Sequence, residues 1–243
     1  MRDVIVVGGG CYGSFYAAQL ARAKARGKAR FRRVVVVDRE PECRARRELG
    51  DASDRTFVVR DWRAYFHEFL GAAAPARSAE PQDYIVPSPL MPHLMGEWLV
   101  NRARERFGDA VETRRFDHVP DVPWERAGAD GTHYVSFATW TCPINCVEPR
   151  ICPHTRDTRT WSLPDTLGAY ASGESGQGRA TESAVLFCRH RAYGVGMFDT
   201  AEVIAADERI RTAGDRGATD IVIGTVSHCH GALTRLVIAT PAR

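Results

Sequence analysis

Val4-Ile5-Val6-Val7-Gly8-Gly9-Gly10-Cys11-Tyr12-Gly13-Ser14 is the stretch on which the reading of this chain turns. Residues 3 to 7 form a short run rich in β-branched side chains that ends directly in glycines, as a strand buried on both faces of a parallel sheet does. The glycines carry the spacing G-x-G-x-x-G at Gly8, Gly10 and Gly13, and Ser14 to Ala25, with apolar Phe15, Ala18 and Leu20, is expected to be a helix. A second valine run, Val34 to Val37, stops at an acid, Asp38. Each part has a physical job. Gly8 permits the sharp strand-to-helix turn, Gly10 lets backbone approach a pyrophosphate, and Gly13 allows the helix to pack against the strand. Backbone N–H groups and the helix dipole are then aimed at the phosphates, with Cys11 and Tyr12 of the loop among the expected cofactor-binding residues. Asp38 would accept hydrogen bonds from ribose hydroxyls and repel a 2′-phosphate, which favours NAD(H) over NADP(H); the neighbouring Arg39 weakens that preference. No second flavin motif is present, so FAD is the weaker candidate.

The alternation continues outward. Thr56 to Val59 reads as a third strand ending at Arg60-Asp61, Trp62 to Leu70 as a helix, Tyr84 to Val86 as a fourth strand, and Leu90 to Phe107 as a further helix. Val185 to Cys188, Thr200 to Arg211 and Asp220 to Ile223 suggest a strand, a helix and a strand, and Leu233 to Ala239 a last strand. Ala171 to Glu182, rich in Gly and Ser, reads as a flexible connection. The expected fold is α/β: a doubly wound, mostly parallel Rossmann-like sheet with a C-terminal α/β extension carrying a cysteine-rich loop. The Pro- and Gly-rich segment from Pro120 to Gly131 sets the expected boundary, with a dinucleotide-binding domain over 1–125 and a cysteine-containing domain over 126–243.

Val6 to Gly13, Val36-Val37-Asp38-Arg39-Glu40-Pro41-Glu42 and Val58 to Asp61 together resemble the TrkA N-terminal type of Rossmann domain found in regulators of potassium conductance, over roughly residues 3–100. The resemblance implies that Asp38 holds ribose and that Asp61 lies near the adenine. Arg60 stands where that family has a glycine. Nothing after residue 125 looks like the ligand-binding domain that accompanies those regulators, so no role in potassium transport follows.

The second half holds five of the seven cysteines, three of them as Cys142-Pro143, Cys146 and Cys152-Pro153 in a C-x3-C-x5-C pattern. The prolines forbid a regular helix across that span. Such clustering in a cytosolic chain points to a metal or redox site more than to a disulfide framework. Cys229, in Ser227-His228-Cys229-His230, would complete four thiolates; His154, His228 or His230 would give three thiolates and one imidazole, with Cys188 in reserve. Only the first pair has zinc-like spacing, whereas iron–sulfur loops accept wider gaps and often place proline beside a ligand, so an iron–sulfur cluster is favoured over zinc. Pro92-His93 and Glu97 are the other residues that could line a cleft at the end of the fourth strand, and Glu148 and Asp157 flank the cysteine loop.

Composition sets the outer limits. The chain has 243 residues, 44% hydrophobic and 26% charged, which is ordinary for a globular protein. Its 33 basic residues, all but Lys24 and Lys28 being arginine, against 30 acidic ones leave a net charge of +3, too even to imply a polyanionic partner such as nucleic acid. No apolar run is long enough to span a membrane, and a cytoplasmic protein is expected. The reading of function is an NAD(H)-binding redox protein with a cysteine-ligated metal centre, acting as an NAD-dependent oxidoreductase on a small molecule or redox partner. The alternative is an NAD(H)-responsive sensor or regulatory module in which a metal only staples the second half. A homodimer stays open as its assembly.

Overall fold

In the computed structural model, which describes residues 2–73, 83–176 and 181–239, the chain is α/β with two mixed sheets and, among the described residues, six α-helices. In chain order the elements are β1 (Val4–Val7), α1 (Cys11–Ala25), β2 (Val34–Asp38), α2 (Arg44–Leu49), β3 (Arg55–Val59), α3 (Trp62–Ala73), β4 (Tyr84–Val86) and α4 (Leu94–Phe107). Then follow β5 (Val111–Arg114), β6 (Trp124–Ala127), β7 (His133–Ser136), α5 (Leu163–Gly176), β8 (Thr181–Phe187), β9 (Arg189–Ala192), β10 (Val195–Asp199), α6 (Thr200–Arg216), β11 (Thr219–Val226) and β12 (His230–Ile238). None of the helices is long and apolar enough to cross a membrane.

Two compact units divide the chain. The first comprises Met1–Pro92, Ile144–Val147 and Cys188–Ala201, and the second His93–Pro143, Glu148–Phe187 and Glu202–Arg243. The Pro- and Gly-rich segment at 120–131 lies inside the second unit, and two short stretches of the second half of the sequence belong to the first.

The first unit is built on a six-stranded sheet in the order β3-β2-β1-β4-β10-β9. The first four strands are parallel, with Val4 opposite Val34 and Tyr84, and Val34 opposite Arg55. Every residue of β1 and the four valines of β2 are buried, which is why these strands read as unbroken apolar runs rather than alternating ones. β10 and β9 then add an antiparallel edge. The sheet is therefore mixed, and the expected mostly parallel order holds only for β1 to β4. Ala17, Leu20 and Ala23 of α1 pack with Val4, Val6, Val34 and Val36 in one apolar cluster.

The second unit departs further from a parallel fold. Its sheet runs β6-β7-β12-β11-β8, with β5 also pairing β12, and only β8 with β11 is parallel. The cause is connection length. Three residues, Ser227 to Cys229, separate β11 from β12, too few for anything but an antiparallel hairpin. The Gly/Ser-rich stretch expected to be flexible begins as helix, since α5 runs to Gly176, and Ser172 Oγ donates to the Gly168 carbonyl 2.9 Å away within it; residues 177–180 lie outside the described residues. Leu163 and Leu167 of α5 pack on Val222, Val226 and Leu233.

α4 begins at Leu94 and not at Leu90, because Ser88 first closes a turn with the N–H groups of Leu90 and Met91. His93, at the cap position of α4, is buried at 4% exposure. Its ring lies between two threonine hydroxyls, Nδ1 at 3.1 Å from Thr225 Oγ1 and Nε2 at 3.1 Å from Thr234 Oγ1. Gly96 leaves room for the ring, since a Cβ there would sit 2.3 Å from Nε2. His93 is thus a satisfied core residue of the second unit and not a cleft group. Burial pushes its pKa down to about 4, with Asp130 opposing. Because the folded value lies below the unfolded one of about 6.5, the neutral ring contributes stability above pH 6.5 that is lost as pH falls towards 4, by up to about 3 kcal/mol. Urea midpoints recorded between pH 7 and 4 should therefore fall more steeply for the wild type than for His93→Gln; parallel curves would refute this role.

Candidate functional site

The end of β1 and the start of α1 meet in a turn that only glycine can make. Gly8 has φ +81°, a left-handed conformation unfavourable for other residues. A Cβ on Gly13 would lie 1.8 Å from the Gly8 carbonyl oxygen, so the first turn of α1 rests directly on the loop. Gly9 is enclosed as well, a Cβ there falling 2.3 Å from Cys43 Sγ. Gly10 differs from all three: its φ is −74° and nothing lies within 4 Å of where its Cβ would be. Gly10 is also the cap residue of α1, which has no side-chain cap and no acid in its first turn. The helix itself therefore supplies neither a capping side chain nor an acid to the positive end of its dipole.

The acid at the end of β2 turns towards this loop. Asp38 Oδ2 accepts the Gly9 N–H at 2.5 Å and Oδ1 accepts the Glu40 N–H at 2.9 Å. A carboxylate has about four lone-pair positions, so two backbone donors leave capacity for further donors. Beside it, the Arg39 guanidinium lies 4.7 Å over the Trp62 ring, whose Nε1–H donates to the Val37 carbonyl at 2.8 Å. Asp61 is engaged elsewhere. Its Oδ1 accepts the N–H groups of Arg63 and Ala64 at 3.0 and 3.2 Å, which caps the start of α3.

Two positions within the loop carry side chains. Tyr12 is half-buried, with its ring 6.5 Å from that of Tyr16. Cys11 is exposed, and its sulfur accepts from Arg44 Nη1 at 3.3 Å. Arg44 opens α2, whose Ala45 N–H donates to the Gly9 carbonyl at 2.8 Å, so α2 brings a cation to the same loop. The sequence carries no signal of that contact, because 33 residues separate Cys11 from Arg44.

The cysteines expected to bind a metal are placed otherwise. Among the described residues no group of three or more His, Cys, Asp or Glu is arranged to hold an ion. Cys146 belongs to the first unit, and Cys142, Cys152 and Cys229 to the second. Cys229 is buried, and burial pushes its thiol up to about 12, with Glu148 adding to the effect while the Trp161 Nε1–H, 3.3 Å from the sulfur, and Arg159 oppose it. Cys152 shows the reverse tendency, its thiol held below the usual range by the Thr155 and His154 N–H groups, the Thr155 hydroxyl and Arg159, against its burial. As placed, the four do not fit a metal centre, and no chemistry is derived through one.

Ser227-His228-Cys229, expected to supply ligands, is the β11–β12 hairpin turn. Glu148 closes it: Oε1 accepts the Ser227 hydroxyl at 2.6 Å and the Cys229 N–H at 3.2 Å, and Oε2 accepts the His228 N–H at 3.0 Å. Glu148 itself has φ 47°. His230 Nδ1 lies 2.9 Å from Ser136 Oγ, His228 Nδ1 lies 3.4 Å from Ser162 Oγ, and the His154 ring stacks on Trp140.

The family model described as AF_1314_C, uncharacterized protein, C-terminal domain, matches residues 95–239, more than half of the chain. The chain belongs to that family. In this AF_1314_C protein the match takes in the hairpin turn and Glu148, while the glycine loop and Asp38 precede it. No curated protein and no solved structure matches the chain.

The loop geometry separates two alanine substitutions that look alike in sequence. Gly13→Ala should cost about 3 kcal/mol or more, because the new methyl meets a backbone oxygen that cannot retreat without moving β1. Gly10→Ala should stay within about 0.5 kcal/mol of wild type. Chemical denaturation of the two variants checks this, and equal losses would contradict the close packing at Gly13.

Proposed function

We propose that the first unit of this AF_1314_C protein binds an adenine dinucleotide, NAD(H) in preference to NADP(H), and that the protein is a redox protein using it. The observation that carries the reading is the Asp38 carboxylate, which leaves the end of β2 and reaches the Gly9 N–H at 2.5 Å, beside the uncapped start of α1. Four features fit the ligand. The open space at Gly10 admits a diphosphate against backbone. The first N–H groups of α1 offer donors and a positive dipole end to it. Asp38 keeps acceptor capacity for ribose hydroxyls, and its charge disfavours a 2′-phosphate. Parallel β4 and β2 flank β1 on opposite sides, so the strand order reverses at β1, and the carboxyl ends of strands at such a reversal are where open α/β sheets take ligands.

The resemblance of residues 3–100 to TrkA N-terminal domains supports the same ligand. Asp61, engaged in capping α3, is left out of the proposed contacts. Gly8, Gly10, Gly13 and Asp38 would hold the diphosphate and sugar, with the Cys11 and Tyr12 N–H groups donating and Arg44 standing close. When bound, the nicotinamide supplies or accepts a hydride.

NADH titrated into the protein and followed by calorimetry should bind. Asp38→Asn should weaken that binding about tenfold or more, the worth of a hydrogen bond to a charged group. Gly10→Val should abolish it while leaving the melting temperature close to wild type. Absence of NADH binding by the folded wild type, or affinity unchanged in both variants, would overturn the reading.

A further inference from the structure

The first unit contains a second constellation, apart from the glycine loop, at the β9–β10 edge of its sheet. Cys188 immediately precedes β9 and His190 lies within it, and His190 pairs with Gly196 of β10. Gly196 shows where the two side chains go: the position its Cβ would take is 2.7 Å from Cys188 Sγ and 3.1 Å from His190 Nε2. Sulfur and imidazole nitrogen therefore crowd one point, over a residue whose missing side chain makes the room. Both residues are half-buried.

The imidazole is oriented from its far side. His190 Nδ1 is hydrogen-bonded to the carbonyl oxygen of Cys146. A carbonyl only accepts, so Nδ1 carries the hydrogen, and a neutral ring presents Nε2, on the Gly196 side where Cys188 Sγ also lies, as a proton acceptor. The segment bearing Cys146 is fixed to this edge of the same unit, because Gly194, at φ +79° in the β9–β10 turn, lies so close to Asn145 that a Cβ would fall 2.3 Å from the Asn145 carbonyl oxygen. A thiol, a base beside it and a third group that orients the base are the parts of an activated nucleophile.

We propose that Cys188 is a nucleophilic cysteine for an electrophilic carbonyl carbon, with His190 as its base and the Cys146 carbonyl orienting His190. In the step, the thiol proton passes to His190 Nε2 and the sulfur bonds to the carbonyl carbon. With an activated ester such as p-nitrophenyl acetate, the bond from carbon to the leaving oxygen breaks, p-nitrophenolate departs, and Cys188 is left as an acetyl thioester. No oxidant or metal is required. The assignment stands whether or not the glycine loop binds a dinucleotide.

The test uses the full chain and p-nitrophenyl acetate, following nitrophenolate release and locating the acetyl group by peptide mass. At pH 7, Cys188 should acetylate about tenfold faster than Cys142, a half-buried cysteine of the same chain. His190→Asn keeps a donor for the Cys146 carbonyl and removes the base, and should slow Cys188 about tenfold. Should His190→Asn fail to fold, the wild-type pH profile decides: acetylation of Cys188 that reaches its plateau well below the profile of a short unstructured cysteine peptide, whose midpoint is near pH 8.5, supports the pair. Acetylation no faster than Cys142, a rate unchanged in a folded His190→Asn variant, or a profile superposing on that of the peptide would overturn it.

Discussion

The contact between the α-carbon of Gly13 and the carbonyl oxygen of Gly8 is the constraint on which the first unit depends. With no side chain at 13, α1 leaves β1 after a turn of three residues and packs its small face, Ala17 and Ala23 with Leu20, against the valines of β1 and β2. A larger residue would lift the helix from the strand and open that cluster. Close packing also decides where the start of α1 falls, with Gly10 at its cap and Asp38, at the end of the neighbouring strand, within hydrogen-bond reach of Gly9. One missing methyl thus links the burial of the valine runs to the exposure of a helix terminus and the direction of a carboxylate.

The elements legible in the sequence are those whose pattern comes from burial alone. β1 and β2 fall within a residue or so of where their apolar runs place them, because a strand covered on both faces has no polar position to blur its ends, and β3 and β4 follow their shorter apolar runs although β3 is only half-buried. The β9–β10 hairpin leaves no such trace. Its turn is Tyr193-Gly194, with both residues at positive φ, and a tyrosine there lacks the Asn-Gly or Asp-Gly signature by which such turns are recognised. α5 is hidden by composition: its glycines and serines suggest a loop, yet Leu163 and Leu167 anchor it on the second sheet. Tertiary burial outweighs local propensity in that segment.

The site residues divide on similar lines. The glycine loop and Asp38 can be read because strand, turn, helix and acid are local to about forty residues, and the geometry of each reflects its neighbours. Asp61 fits the resemblance by position, but Arg63 and Ala64 supply donors that the sequence equally offers, and the carboxylate caps α3. The placement of the cysteines could not be read from the sequence, for a reason of topology. Spacing along the chain says nothing about which sheet a loop joins, and Ile144–Val147 belongs to the first unit while the residues on either side belong to the second. Nor does spacing warn that Cys229 is buried against Trp161, where a neutral thiol is the stable form.

Glu148 holds the Ser227–Cys229 turn by its carboxylate. Its left-handed φ of 47° carries a strain of about 1 kcal/mol or more for a residue with a side chain. Three donors from the Ser227–Cys229 turn converge on its carboxylate, and hydrogen bonds to a charged acceptor are worth about 1.5–3 kcal/mol each, so the balance favours the strained conformer. The carboxylate thereby does for the turn what a metal was expected to do for the thiols. Glu148 and this turn lie within the residues that define the AF_1314_C match, whereas Gly8 to Gly13 and Asp38 lie before it. Membership of the family consequently bears on residues 95–239, and a nucleotide at the glycine loop, which precedes them, stands on the geometry of the first unit and on the resemblance of residues 3–100.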